Sequence, residues 1–141
     1  MKKILNTSII YFVLGIAAGV FYREFTKFHG YTGNTALSAV HPHFFVLGMF
    51  LFLMLAFLCR KEESLLQNVT FRRFFILYNI SLPFMACTML ARGIIQVMEI
   101  TLSKSMNAMV SGIAGVSHIL ITVSLVLLFI SLKKALVSEE N

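Results

Sequence analysis

Four long apolar runs, separated by short polar segments, are the main pattern along the chain. They cover roughly residues 8–22, 39–59, 74–97 and 110–132, and each is close to the about 20 residues that an α-helix needs to cross a bilayer. The pattern predicts an all-α fold. We expect an integral membrane four-helix bundle that forms a single domain over residues 1–141.

The composition supports this prediction. Hydrophobic residues make up 58% of the 141 residues, charged residues make up 13%, and the mean hydropathy is +0.85. A chain with this composition and mean hydropathy is too apolar to be a soluble domain of this size. The chain therefore reads as a multi-pass membrane protein whose first partner is the lipid bilayer.

The net charge of +6 indicates how the chain is oriented in the membrane and does not indicate nucleic-acid binding. The reason is that the cations lie at the ends of the apolar runs and not along one face. If the chain crosses the membrane four times, most cations fall on one side: Lys2, Lys3, Arg60, Lys61, Arg72, Arg73, Lys133 and Lys134. Arg23, Lys27 and Lys104 fall on the other. The positive-inside rule then places both termini in the cytoplasm. A weak preference for anionic lipid is also expected.

Two histidines open the second apolar run, in the segment A-V-H-P-H-F-F-V-L-G. An ionisable side chain at the mouth of a spanning helix is costly unless it faces the bundle interior or a ligand. His41 and His43 point about 200° apart on a helix, so both cannot meet one ligand squarely. Gly48 lies seven residues after His41 on the same face and predicts a flat groove beneath that imidazole.

The later runs supply the expected partners. His118 lies about two turns inside the fourth run, after the small residue Gly115, whereas His41 and His43 lie within about the first turn of the second run. A modest helix tilt would bring one pair level. In the third run Arg92 belongs to a polar stripe with Gln96 and Glu99, at spacings of four and three residues. Arg92 either forms an internal salt bridge, for instance with Glu99, or clamps an acidic group of a ligand.

Two neutral imidazoles from different helices of an apolar bundle are the usual protein ligands of a six-coordinate heme b. Arg92 would then neutralise a propionate. A zinc or copper site formed by His41, His43 and Glu99 stays open. The chain has no C-x-x-C-H motif for a covalently attached heme, and no nucleophile and base are suitably spaced. Enzyme activity is therefore not expected from the chain alone.

The segment A-V-H-P-H-F-F-V-L-G, together with G-V-S-H-I-L around His118, resembles a family of uncharacterised small four-helix membrane proteins of bacteria. It is more distantly similar to the low-spin heme helices of heme-copper oxidase subunit I. This resemblance implies heme b ligation by His41, with His43 as the alternate, and by His118. It also implies Arg92 as a propionate partner and the bacterial cytoplasmic membrane as the location. The chain lacks the copper-ligand histidines of the oxidases, so oxygen reduction is not implied.

The sequence thus predicts a membrane-embedded heme b protein for electron transfer or for heme sensing or handling. Its expected site residues are His41, His43, His118, Arg92, Gly48 and Gly115. Two alternatives stay open: a metal or small-solute membrane protein that uses His41, His43 and His118, and a structural or regulatory subunit without cofactor. Gly15 and Gly19 form a G-x-x-x-G pattern that we expect to serve packing within the bundle, while a homodimer or a partner membrane subunit is left open.

Overall fold

The computed structural model describes residues 1–137, with side chains described through Ala135. Within this range four long helices follow one another: α1 Lys2–Phe28, α2 Leu37–Lys61, α3 Val69–Val97 and α4 Lys104–Val137. A short helical turn, Ser64–Gln67, lies between α2 and α3. The last four residues of the predicted domain lie outside the described part.

All four helices are long and apolar enough to cross a membrane. The prediction of an all-α fold with four spanning helices is therefore confirmed. Some helices extend beyond the apolar runs: α1 begins at Lys2 and ends at Phe28, whereas α3 ends with its run at Val97. The cytoplasmic position of the termini stays a prediction.

The helices pack in chain order, with α1 against α2, α2 against α3, and α3 against α4. Glycines make room for aromatic rings between α1 and α2. A Cβ atom on Gly15 would lie 2.5 Å from the ring of Phe45, and a Cβ atom on Gly48 would lie 2.5 Å from the ring of Tyr11. Gly15 therefore serves packing inside the bundle, as predicted for the G-x-x-x-G pattern.

The expected role of Gly48 needs a correction. Its notch does not form a free flat surface beneath an imidazole, because the Tyr11 ring fills it. Tyr11 is buried and stacks on Phe52, with ring centroids 5.7 Å apart and an interplanar angle of 8°. Gly48 therefore allows α1 to pack closely against α2 through Tyr11.

A π-helical segment, Phe44–Phe50, interrupts α2 directly after His43. The Leu51 N–H donates to the carbonyl of Val46, five residues back, whereas an α-helix bonds residues four apart. Segments of this kind are rare and often lie at functional sites. Here the segment separates the histidine-bearing start of α2 from the half that packs around Tyr11.

A row of buried residues on α4, called the seam below, packs lengthwise against α3. The residues are spaced alternately four and three apart. These residues are Ser117, Ile121, Ser124, Leu128, Ser131 and Ala135. This spacing is typical of helices that pack lengthwise, and small residues at the seam let the two backbones approach closely. Each serine hydroxyl donates to a carbonyl of its own helix at 2.7–2.8 Å, so no hydroxyl is left without a partner in the apolar interior.

We expect Ser124→Leu to loosen this seam, because Ser124 is fully buried and a larger side chain forces α3 and α4 apart. Overpacking of this kind should lower the free energy of unfolding by about 1–3 kcal/mol. Thermal unfolding in detergent measures the change. Val123→Leu is the control, since Val123 is 46% exposed. Equal losses in the free energy of unfolding for the two variants would contradict close packing of α4 on α3 at Ser124.

Candidate functional site

His41 faces α1. A Cβ atom on Gly19 would lie 3.7 Å from the Cβ of His41, and the His41 ring is nearly parallel to that of Tyr22, with ring centroids 6.4 Å apart. Its Nδ1 atom is buried and has no hydrogen-bond partner among the described residues. The contacts of His41 therefore lie between α1 and α2, and this imidazole is not turned towards α4.

His43 lies on the opposite side of α2, because residues two apart on a helix point about 200° apart. It is half-buried. Its Nδ1 atom lies 2.6 Å from the carbonyl oxygen of Ala39. A carbonyl oxygen can only accept a hydrogen bond, so Nδ1 carries a proton, and in the neutral imidazole Nε2 keeps its lone pair. His43 therefore presents a potential ligand nitrogen on the side of α2 that faces away from α1.

His118 of α4 makes the same kind of bond. Its Nδ1 atom lies 2.8 Å from the carbonyl oxygen of Ala114, so its Nε2 atom also keeps a lone pair. The side chain is exposed, although it lies within the apolar part of a spanning helix. Leaving an imidazole uncovered at that depth is costly, which favours a group that covers it.

A polar stripe on α3 joins the starts of α2 and α4. Arg92 donates from Nη1 to Asn107 Oδ1 and from Nη2 to Ser111 Oγ, both at 2.6 Å, and so reaches α4. One turn further on, Gln96 Oε1 accepts the Ala36 N–H at the start of α2, at 2.7 Å. The stripe therefore has α4 on one side and the start of α2 on the other.

His118 lies on the side of α4 that bonds Arg92, because Asn107 and Ser111 precede it by eleven and seven residues, which is about three turns and two turns. His43 lies on the side of α2 away from α1. The groove between α2 and α4, with the Arg92 stripe of α3 as its floor, is called the α2/α4 groove below. Helix geometry directs both histidine side chains towards this groove.

Contacts to α3 place the two histidines at similar depth. Leu37 touches Gly93, where a Cβ atom would lie 2.6 Å from the Leu37 nitrogen. His43 lies six residues further along α2, or about 9 Å, which is level with Cys87 of the antiparallel helix α3. On α4, the Ser117 hydroxyl lies 3.5 Å from that of Thr88. His118, the next residue, is therefore also level with the Cys87 region.

The family of the chain is shown by comparison with family models. The model described as "Protein of unknown function (DUF2871)" matches residues 1–135. The chain belongs to this family. Comparisons with curated proteins and with solved structures gave no match. The predicted membership of an uncharacterised family with four spanning helices is thus confirmed for this DUF2871 protein, while the oxidase resemblance stays a prediction.

The DUF2871 chain does not gather its histidines into one metal cluster. Within the described residues no group of three or more His, Cys, Asp or Glu side chains is close enough to hold a metal ion. His41 contacts α1, His43 lies along the α2/α4 groove, and His118 lies on α4. A zinc or copper site that joins all three histidines is therefore not formed by this arrangement.

The role of Gly115 beside His118 stays a prediction, whereas Arg92 differs in part from its expected role. A Cβ atom on Gly115 would meet nothing within 4 Å, so this glycine leaves open space at the surface of α4. Arg92 binds two neutral side chains of α4, and neither of these is the carboxylate of the expected salt bridge. It also lines a cavity of about 410 Å³ near the start of α4, together with Gln96, Glu99 and Asn107.

Several residues of this arrangement were not recognised in the sequence. Asn107 and Ser111 accept the hydrogen bonds of Arg92. Their spacing of about whole turns before His118 could have predicted from the sequence that they share a face of α4 with it. The serines at 117, 124 and 131 recur every seven residues, which is also readable from the sequence. The bond from the Ala36 N–H to Gln96 had no such signal, because it joins positions 60 residues apart.

The contact between Arg92 and Asn107 can be tested by a double-mutant cycle. We expect Arg92→Ala and Asn107→Ala to show a coupling energy of about 0.5–1.5 kcal/mol in thermal unfolding, because a hydrogen bond from a charged donor is stabilising but this one is exposed. Additive losses from the two variants would contradict a direct contact. The control cycle combines Arg92→Ala with Lys104→Ala, at the exposed start of α4. In this cycle the two losses in the free energy of unfolding should be additive.

Proposed function

We propose that this DUF2871 protein binds a b-type heme in the α2/α4 groove, with His43 and His118 as the two axial ligands. The observation that carries the proposal is the pair of Nδ1 bonds to the carbonyls of Ala39 and Ala114. Such bonds fix the tautomer and the ring orientation of histidine ligands and make the free nitrogen more basic.

The tautomer by itself is not specific, since His29 makes the same bond to the carbonyl of Phe25. His29, however, follows the end of α1 and lies outside the spanning helices. His43 and His118 have in addition a similar depth, positions along one groove, and an apolar setting. These features together support the choice of this pair over His41.

The surroundings of the pair fit a heme. The floor of the groove continues from Arg92 to the half-buried Met89, three residues earlier on α3. Arg92 has five N–H donors, and two of its nitrogens already bind α4, so donors remain for a carboxylate. The cavity near the start of α4 would receive the propionates, and the exposed His118 would become covered.

A heme at this position would supply one-electron redox chemistry, which supports a role in electron transfer or in heme sensing or handling. The chain's own residues would orient the group and shield it from water. His43 and His118 would bind it, and Arg92 would hold its acidic edge near the outer surface. No further catalytic groups are needed for these roles.

A spectrum of the purified protein tests the proposal. The protein is expressed with added heme precursor, and the dithionite-reduced spectrum is compared with the oxidised one. We expect the sharp reduced band of a six-coordinate b-type heme and about one heme per chain. The absence of that band under heme-replete expression would rule the proposal out. Metal analysis of the same sample separates heme iron from zinc or copper.

A further inference from the structure

The end of the π-helical segment leaves one carbonyl of α2 without its usual partner. In an α-helix the Leu51 N–H would bond to the carbonyl of Leu47, four residues back. Here it donates instead to the carbonyls of Val46 and Gly48. The Leu47 carbonyl therefore lacks the donor that an α-helix would supply, and within a spanning helix a backbone group has no water to replace that donor.

Neighbouring helices supply donors to this segment. The Tyr78 hydroxyl of α3 donates to the Leu47 carbonyl at 2.8 Å, and Tyr78 is fully buried. The Ser8 hydroxyl of α1 donates to the carbonyl of Met49 at 2.7 Å, and Ser8 is buried as well. Two side chains from two helices thus bond the backbone of the π-helical segment from outside.

The π-helical segment sets the direction of His43. One turn of π-helix is equivalent to one inserted residue, which rotates the two halves of α2 by about 100° relative to a continuous α-helix. The half after the segment is held by Tyr11, which stacks on Phe52. If the segment returned to α-helix, either His43 would turn out of the α2/α4 groove or the contact with Tyr11 would break.

We propose that Tyr78 is a positioning residue for His43: its hydroxyl holds the π-helical segment and thereby holds the imidazole along the α2/α4 groove. This inference rests on the proposed function, because the direction of His43 matters for a ligand that binds there. Tyr78 itself does not touch the ligand in this role. It acts through the backbone carbonyl of Leu47.

Tyr78→Phe tests the inference, because it removes the hydroxyl but keeps the ring that packs against Phe52 and Phe74. The first readout needs no heme. Labelling with carbonyl-¹³C leucine and ¹⁵N glycine gives signals only for Leu-Gly pairs, and the chain has two of these, Leu14–Gly15 and Leu47–Gly48. We expect the Leu47 carbonyl signal to move upfield in the variant, while the Leu14 signal serves as the internal reference.

The second readout is heme affinity. We expect Tyr78→Phe to weaken heme binding by about 10- to 100-fold, the usual effect of losing a group that orients a ligand. Tyr11→Phe is the matched control. The Tyr11 hydroxyl donates to the Asn79 side chain at 3.0 Å and not to the π-helical backbone. This control should leave both the Leu47 signal and the heme affinity unchanged.

The outcomes separate the inference from the proposed function. An unchanged Leu47 signal in Tyr78→Phe would overturn the inference. So would a shifted signal with unchanged heme affinity, since Tyr78 would then hold the helix without positioning a ligand. If the native protein binds no heme, the proposed function fails, and the Leu47 signal still decides whether Tyr78 holds the π-helical segment.

Discussion

Replacing His118 or His43 with alanine should abolish the reduced heme band, whereas His41→Ala should keep it. The reason is geometric, because His43 and His118 lie at similar depth along the α2/α4 groove while His41 faces Gly19 and Tyr22 of α1. Loss of an axial ligand should weaken heme binding by more than the roughly 10- to 100-fold cost of losing an orienting partner. Reduced-minus-oxidised spectra and heme titration of the three variants measure this.

His41→Ala is the matched control for His43→Ala, since both residues lie in the same turn of α2 on either side of Pro42. The reverse result, with heme lost from His41→Ala and kept by His43→Ala, would contradict the choice of ligand. Heme kept by all three variants would mean that these histidines hold no heme. An unchanged spectrum with altered assembly in His118→Ala would favour a structural subunit instead.

A second large effect is expected from Gly93→Ala. The backbones of α2 and α3 approach closely here: an added Cβ atom would lie 2.6 Å from the backbone nitrogen of Leu37. Backbone cannot move aside as a flexible side chain can, so the start of α2 must shift. The shift would also strain the bond from the Thr35 hydroxyl to the Gly93 carbonyl. We expect a loss of about 1–3 kcal/mol in the free energy of unfolding.

Gly112→Ala is the control for this prediction, because a Cβ atom at Gly112 meets nothing within 4 Å. The same substitution should there leave stability unchanged or raise it by up to about 1 kcal/mol, the usual difference between glycine and alanine in a helix. Thermal unfolding of the two variants in the same detergent makes the comparison. A loss at Gly112 as large as that at Gly93 would show that close approach to Leu37 is not the cause.

The spanning helices could be predicted because burial in a bilayer depends on local composition. Each run is apolar over its own length, and a helix satisfies its own backbone hydrogen bonds without help from other segments. The ends of the helices were less predictable, since α1 continues to Phe28 through residues that are polar or charged. The prediction of two histidine-bearing helices, α2 and α4, likewise needed only the sequence.

The choice between His41 and His43 could not be made from the sequence. Their separation of about 200° follows from helix geometry, but which of the two sides meets α1 depends on how α1 packs. The π-helical segment adds a further rotation, and it is bonded by Tyr78 and Ser8, which lie far away in the chain. Gly48 was misread for the same reason, because the ring that fills its notch comes from α1.

The sequence by itself determined that this DUF2871 protein has four apolar helices and which of them carry the imidazoles. Both properties depend on residues that are neighbours along the chain. Only the tertiary structure decided that His43 rather than His41 lies along the same groove as His118, and that Arg92 bonds Asn107 and Ser111. These relations join residues on different helices, so they are set by side-chain packing between helices and by hydrogen bonds that no local pattern encodes.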